Sequence, residues 1–265
     1  MTRTPWADLP AAARRAIEAR TGPVRSASEP DAGVMSAFVA RLVSEDGEFF
    51  AKGTPTIAPD AWTYRHEARV TKHVPMSPVP LWEAEGGGWT FYGYSVAPGR
   101  HADFTFGSPD LGPVTEAITL LSALPWPDAI SKRPLRDRLG PYIPEGESPA
   151  LAGSALVHTD LGEANILIDG GTAHLVDWSL SCPGPDWADA ALWIPRLIAA
   201  GHRFKEADAL TRIVPAYAKA DPAALATFAR TIRAFWQRRA EEAPMPHRAV
   251  LLAAAVEWER CTARH

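Results

Sequence analysis

The chain has only two cysteines in 265 residues, Cys182 and Cys261. That is too few for a disulfide framework, and they lack the paired spacing of a zinc site. Lysine is scarce too. Lys52, Lys72, Lys132, Lys205 and Lys219 are the only five among 27 basic residues, so each one invites inspection. No apolar run approaches the length of a bilayer crossing, and the longest clean one, Ala249 to Val256, is far too short. The first residues, with Pro5, Trp6, Asp8 and Pro10, lack the basic-then-apolar pattern of a secretory signal. There is no excess of positive charge: a formal net charge of −4 leaves no global basic field for nucleic acid or an anionic membrane. With 46% hydrophobic and 22% charged residues, the composition is that of a globular chain rather than a disordered one. The expectation is a soluble cytoplasmic protein with neither nucleic-acid nor membrane partners, its oligomeric state left open.

Along the chain the patterning changes once. Residues 1–33 read as a short alanine-rich helix, Pro10 to Arg20, and a Pro/Ser/Gly connector from Thr21 to Gly33. Residues 34–97 read as a small β-rich lobe. Val34–Met35 and Ala37 to Val43 form an apolar-rich run, Glu45-Asp46-Gly47 is a turn, and Phe49-Phe50-Ala51-Lys52 resumes the strand pattern. Asp60 to Val74 is predicted helical, with Ala61, Tyr64, Ala68 and Lys72 near one face, and Pro75, Pro78 and Pro80 stop it. A second hairpin follows, from Leu81 through the glycines at 86 to 88 to a strand from Trp89 to Val96. A hinge falls near 94–99, and residues 98–265 read as a larger, mostly helical lobe. The predicted class is α+β with two lobes.

One stretch of the larger lobe concentrates polar chemistry. In Leu156 to Trp178, Ile166-Leu167-Ile168 and Ala173 to Val176 are short strands joined by Asp169-Gly170-Gly171, whose Asp-Gly and Gly-Gly steps favour a tight hairpin. Asn165 enters the first strand, Asp177 leaves the second, and Asp160 lies five residues before Asn165 in a loop that starts at His158. Antiparallel neighbours lie about 5 Å apart, a span suited to one shared divalent cation, and carboxylate and carboxamide oxygens suit Mg²⁺. A lone His-x-Asp is more often a capped turn than a site, but the whole set with its hairpin in register is harder to dismiss.

His158-x-Asp160-x-x-x-x-Asn165, then a hairpin, then Asp177, resembles the catalytic and metal-binding loops of the aminoglycoside phosphotransferase family, which has a protein-kinase-like fold. Thr159 stands where protein kinases have arginine, and Trp178-Ser179 where they have Phe-Gly, which favours small-molecule kinases. Gly184-Pro185-Asp186-Trp187-Ala188-Asp189 is similar to the family's glycine-then-aspartate signature. The resemblance runs from about Phe49 to His202. It implies that Lys52 grips nucleotide phosphates and pairs with Glu67, and that the adenine sits against the backbone of Ser95, Val96 and Ala97 after Tyr94. It further implies that Asn165 and Asp177 hold Mg²⁺, that Asp160 accepts or orients the acceptor hydroxyl's proton, and that His158 buttresses the loop. A G-x-G-x-x-G loop is absent; Gly33 stands alone.

The implied activity is transfer of the γ-phosphate of ATP or GTP to a hydroxyl of a small molecule, an antibiotic of nucleoside-like, macrolide-like or aminoglycoside type. A kinase-like nucleotide-binding module without turnover is the alternative. A hydrolase built on His158 and Asp160 finds no Gly-x-Ser-x-Gly elbow or metal-type histidine pairing to support it. Elsewhere, His101, Asp103 and Asp110 read as a solvated loop and a helix start rather than a metal cluster. Asp186 and Asp189 read as structural, capping a helix and bracing the metal loop. Trp187, Trp193, Trp236 and Trp258 read as mostly core. From Gly201 onward eleven Lys or Arg face seven Asp or Glu, with Glu241-Glu242 the only adjacent acidic pair. That excess predicts a neutral or mildly anionic acceptor rather than a polyamine sugar.

Overall fold

A computed structural model describes residues 3–30 and 36–263. The expectations for Gly33 and for a strand at Val34–Met35 fall outside the described residues. The chain divides into two compact units: the first takes Met1–Gly99 and His174–Ser179, the second Arg100–Ala173 and Leu180–His265.

The first unit holds helix α1 (Ala11–Thr21), strands β1 (Val24–Ser28), β2 (Phe38–Ser44) and β3 (Glu48–Pro55), helix α2 (Ala61–Val70), and strands β4 (Pro80–Gly86) and β5 (Trp89–Tyr94). The strands form one antiparallel sheet of order β1-β2-β3-β5-β4. Its two faces follow the period of two along each strand. Phe38, Ala40, Leu42, Ala51 and Phe91 pack with Ala13 and Ile17 of α1. Tyr92 and Tyr94, with Phe50 against them, pack on Tyr64 and Ala68 of α2. Lys52 is two residues from Phe50 and opposite Tyr92, so it shares the α2 face.

Four expectations are corrected here. The connector from Thr21 to Gly33 contains β1, an edge strand with only partly buried or exposed residues, whose sequence therefore carries no apolar alternation. Lys52 does not end its strand, which continues to Pro55, and β5 stops at Tyr94 rather than Val96. The helix over Asp60 to Val74 ends at Val70 and tightens into a 3-10 turn at Thr71–His73; Lys72 is exposed there, off the buried face of Tyr64 and Ala68.

The second unit holds β6 (Arg100–His101), α3 (Leu111–Ser122), α4 (Leu135–Arg138), β7 (Ala155–Val157), β8 (Ile166–Asp169), the start of β9 (Thr172–Leu175), β10 (Cys182–Gly184), and helices α5 (Ala188–Ala199), α6 (Phe204–Thr211), α7 (Pro215–Ala218), α8 (Pro222–Glu242) and α9 (Pro246–Thr262). β7 pairs antiparallel with β10, and β6, β8 and β9 form a three-stranded sheet. Gly170 and Gly171 both adopt positive φ, 52° and 85°, which the tight turn between β8 and β9 requires. Trp193 and Trp258 are fully buried, as expected, and Trp187 nearly so, whereas Trp236 is only half-buried. Asp110 immediately precedes α3, the helix start expected there. It is buried and receives both Arg100 guanidinium nitrogens, at 2.6 and 2.8 Å, together with the Asp103 amide. Among the described residues no group of three or more His, Cys, Asp or Glu is gathered for a metal, and no helix is long and apolar enough to cross a membrane.

Candidate active site

In the first unit the chemistry centres on Lys52. β3 lies between β2 and β5, so Lys52 occupies an interior strand and its side chain is almost fully buried. A buried ammonium needs anionic partners, and Glu67 supplies one: Lys52 Nζ donates to Oε1 at 2.8 Å and to Oε2 at 3.0 Å. Tyr64, Glu67, Ala68 and Thr71 are buried at helical spacing, which turns Glu67 toward the sheet. Asp177 Oδ1 lies 3.5 Å from Lys52 Nζ and accepts the Ser179 hydroxyl at 2.8 Å. Burial opposes the charge on Lys52, but Asp177 and Glu67 outweigh it and raise the ammonium's pKa. Burial pushes the Glu67 carboxyl up, against the pull of Lys52.

Asp177 belongs to this unit because the chain crosses over within β9. The Leu175 amide donates to the Met76 carbonyl at 2.9 Å, and the Ser77 hydroxyl donates to the Leu175 carbonyl at 3.0 Å. Fully buried Trp178 donates its indole N–H to that same carbonyl. At the end of β5, the Ser95 amide donates to the Val79 carbonyl and the Ser95 hydroxyl accepts the Val79 amide, both at 2.9 Å. The Ser95 carbonyl and the backbone of Val96 and Ala97 are not engaged in these bonds.

In the second unit β7 delivers the loop from His158 to Asn165. Buried Asp189, in the first turn of α5, accepts the His158 amide at 2.7 Å and the Thr159 amide at 2.8 Å. Burial pushes the Asp189 carboxyl up, and those two amides and the nearby His158 pull the other way. The brace expected of Asp189 therefore exists, but it holds the His158 loop rather than the Asp177 segment, while Asp186 is exposed. His158 is fully buried, and its Nδ1 accepts the Asp160 amide at 3.2 Å, the bond of an unprotonated ring nitrogen that buttresses the turn. Thr159 receives Arg138 Nη2 at 2.8 Å and donates to the Leu180 carbonyl at 3.0 Å; Arg138 also donates to that carbonyl.

The Asp160 carboxylate, 42% exposed, is engaged at both oxygens. Oδ1 receives Arg196 Nη2 at 2.5 Å and Oδ2 receives Asn165 Nδ2 at 3.2 Å. Asn165 Nδ2 also reaches the Asp160 carbonyl at 2.8 Å. With its NH₂ turned to Asp160, Asn165 presents its amide oxygen elsewhere. The two non-glycine residues with positive φ among those described are Thr159 at 71° and Asp177 at 65°, one in each loop. Such backbone strain collects where function fixes a side chain's direction.

The expected residues thus fall into two sets: Lys52, Glu67 and Asp177 in one unit, His158, Asp160 and Asn165 in the other. Asn165 in one unit and Asp177 in the other each carry a hard oxygen donor of the kind Mg²⁺ takes, a cation that accepts few protein ligands and completes its shell with water and phosphate. Sequence reasoning missed Arg138 and Arg196. Neither lies in a motif, and an arginine in a helix ordinarily reads as solvated surface.

No protein-family model matches the chain, and no curated protein matches it in sequence. Solved structures do resemble it. A thermostable mutant of the aminoglycoside phosphotransferase APH(4)-Ia, in ternary complex with AMP-PNP and hygromycin B, is 16% identical with TM-score 0.65, covering 94% of this chain and 98% of that one. An aminoglycoside phosphotransferase from Alicyclobacillus acidocaldarius is 14% identical with TM-score 0.62, covering 97% and 95%. The amicoumacin kinase hAmiN, in complex with AMP-PNP, Ca²⁺ and its ligand, is 16% identical with TM-score 0.55, covering 89% and 88%. A sheet-based first unit, a largely helical second unit and these likenesses over nearly the whole chain agree: the chain has the protein-kinase-like fold of the aminoglycoside phosphotransferases.

Proposed function

We propose that the protein is a small-molecule phosphotransferase that moves the γ-phosphoryl group of ATP or GTP to an acceptor hydroxyl. The observation that carries the reading is the buried Lys52–Glu67 pair with Asp177 3.5 Å from the same ammonium. A bare surface lysine would need no such support, whereas a lysine that meets phosphate must be held charged and aimed. The complexes of the similar structures contain AMP-PNP and antibiotics, which agrees with this reading.

In the proposed reaction the acceptor oxygen forms the new P–O bond. The β,γ-bridging oxygen departs with its electron pair as the nucleoside diphosphate, and the hydroxyl proton passes to Asp160 and on to solvent. Lys52 offsets phosphate charge, Asp160 orients the hydroxyl, and Asn165 and Asp177 are the residues that would hold Mg²⁺. Bound Mg²⁺ would supply charge neutralisation across the phosphates. The backbone at Ser95, Val96 and Ala97 would receive the base. Alignment and electrostatics carry most of such a step.

The acceptor we favour is a neutral or mildly anionic hydroxylated antibiotic. Glu242 is paired with Arg238 at 2.5 Å and Glu241 accepts Gln237 at 3.2 Å, so the adjacent acids from the sequence are already engaged.

The test is a γ-phosphate transfer screen with Mg-ATP and Mg-GTP against hydroxylated antibiotics and metabolites, read by mass. Asp160→Asn should abolish transfer and spare Mg-nucleotide affinity, while Asp177→Asn should weaken that affinity. Near-native turnover in both variants would overturn the assignment, and Mg-nucleotide binding with no acceptor turned over would favour a binding module. Transfer to kanamycin-like compounds, with neutral nucleoside antibiotics untouched, would refute the charge argument.

A further inference from the structure

We infer that Arg196 is the positioning residue that fixes the Asp160 carboxylate, and that Gly162 leaves the Arg196 guanidinium the room it occupies. The inference rests on the phosphotransferase reading above for what Asp160 does, but its geometry stands within the second unit alone.

Three observations converge. First, Arg196 Nη2 meets Asp160 Oδ1 at 2.5 Å while Asn165 holds Oδ2 at 3.2 Å. A carboxylate gripped at both oxygens cannot rotate about its terminal torsion, and charge-assisted bonds are the stronger kind. The Arg196 side chain is 19% exposed and that of Asp160 42%, so the pair is partly buried and matters for the direction it fixes rather than for stability.

Second, Arg196 lies on α5 seven residues after Asp189, two helical turns further along the same face and about 10 Å away. Asp189 binds the amides of His158 and Thr159. One helix therefore fixes the loop twice, its backbone through Asp189 and its working side chain through Arg196.

Third, Gly162 has ordinary extended backbone angles, φ −92° and ψ 167°, which any residue adopts. Conformational freedom does not explain a glycine there; a Cβ at 162 would lie 2.5 Å from Arg196 Nη1 and would push that flexible side chain's guanidinium aside.

A carboxylate held at both oxygens has a fixed direction. Arg196 thus sets Asp160 as an orienting acceptor for the attacking hydroxyl. The same cation occupies an oxygen that a substrate ammonium would otherwise take.

The experiment measures ADP release from Mg-ATP by the full chain, with the acceptor that scores in the screen and with water alone, beside Mg-nucleotide binding and thermal melting. Arg196→Ala should lower kcat about 100-fold, the scale of a small misplacement of a reacting group, with nucleotide affinity unchanged. Arg196→Lys, which keeps the charge but not the fork, should recover part of the loss. Gly162→Ala, which displaces the guanidinium without removing it, should lower kcat about 10-fold, and the double variant Gly162→Ala/Arg196→Ala should be no slower than Arg196→Ala alone. Losses that multiply in the double variant, or near-native kcat in Arg196→Ala while Asp160→Asn is inactive, would overturn the inference. If Arg196→Ala melts early, Arg196→Lys and Gly162→Ala decide the matter, and near-native kcat in both overturns it. An active Asp160→Asn would instead remove the phosphotransferase role of Asp160 itself.

Discussion

Replacing Lys52 with methionine should destabilise the protein more than replacing Glu67 with glutamine, although the two residues share one ion pair. The difference follows from who remains. Lys52 and Glu67 are 10% and 6% exposed, and Asp177 is 38% exposed. Lys52→Met strands a buried carboxylate beside a second carboxylate, and removing one partner of a buried pair costs about 3–5 kcal/mol. Glu67→Gln leaves the ammonium with Asp177 at 3.5 Å and a carboxamide oxygen in reach, so we expect a loss of about 2 kcal/mol. The double variant Lys52→Met/Glu67→Gln should be more stable than Lys52→Met alone, with a coupling of about 2 kcal/mol. The pH dependence has a definite sign. Burial raises the Glu67 carboxyl above its ordinary 4.5. Without Lys52 the folded state therefore favours protonated Glu67, and stability is lost as pH rises through the raised value. The Lys52→Met deficit should shrink on acidification toward pH 4.5, and the added Glu67→Gln should flatten that dependence. In the wild type the Lys52 contribution is present below 10.5 and lost only as pH rises through its raised value. Urea denaturation followed by tryptophan fluorescence at several pH values measures all four chains. Equal losses in the two single variants, or a pH-independent Lys52→Met deficit, would refute the reasoning.

Tyr94 is buried and its hydroxyl finds no partner among the described residues, so Tyr94→Phe should stabilise by about 1 kcal/mol in urea melts; a loss of stability would show that the hydroxyl is satisfied. Asp189→Ala removes the acceptor of two amides, one of them on strained Thr159, and should destabilise by about 3 kcal/mol and abolish transfer, checked by melting and turnover. Asp110 is held below its ordinary 3.8 chiefly by Arg100, so its contribution is present above 3.8 and lost as pH falls through the lowered value. Asp110→Asn should therefore unfold with a shallower acid limb than the wild type in a pH titration by circular dichroism.

The elements easiest to read from sequence were those where local chemistry and tertiary demand coincide. Asp169-Gly170-Gly171 sits between two short apolar strands, and only positive φ joins them so tightly. Lys52 stood out because lysine is scarce and follows Phe49-Phe50-Ala51, and Glu67 because its helix has no other internal acid. β1 stayed hidden because Val24-Arg25-Ser26-Ala27-Ser28 is an edge strand with no buried face to impose alternation. The helix start at Asp110 is legible, but its pairing with Arg100, ten residues away, is not, because burial of a paired charge leaves no periodic trace. Arg196 was invisible for a different reason. Its partner lies 36 residues earlier in the chain, and its environment, Trp193-Ile194-Pro195 before and Leu197-Ile198 after, reads as helix core with one polar interruption.

The return of the chain to the first unit for six residues, His174–Ser179, bears on inheritance. A gene segment ending at Gly99 would encode the sheet, Lys52 and Glu67 but neither Asp177 nor the fully buried Trp178. Recombination at that boundary would deliver a first unit lacking both one of the two carboxylates beside its central lysine and a piece of its own interior. An exchange of the first unit between genes would therefore have to carry His174–Ser179 along with Met1–Gly99.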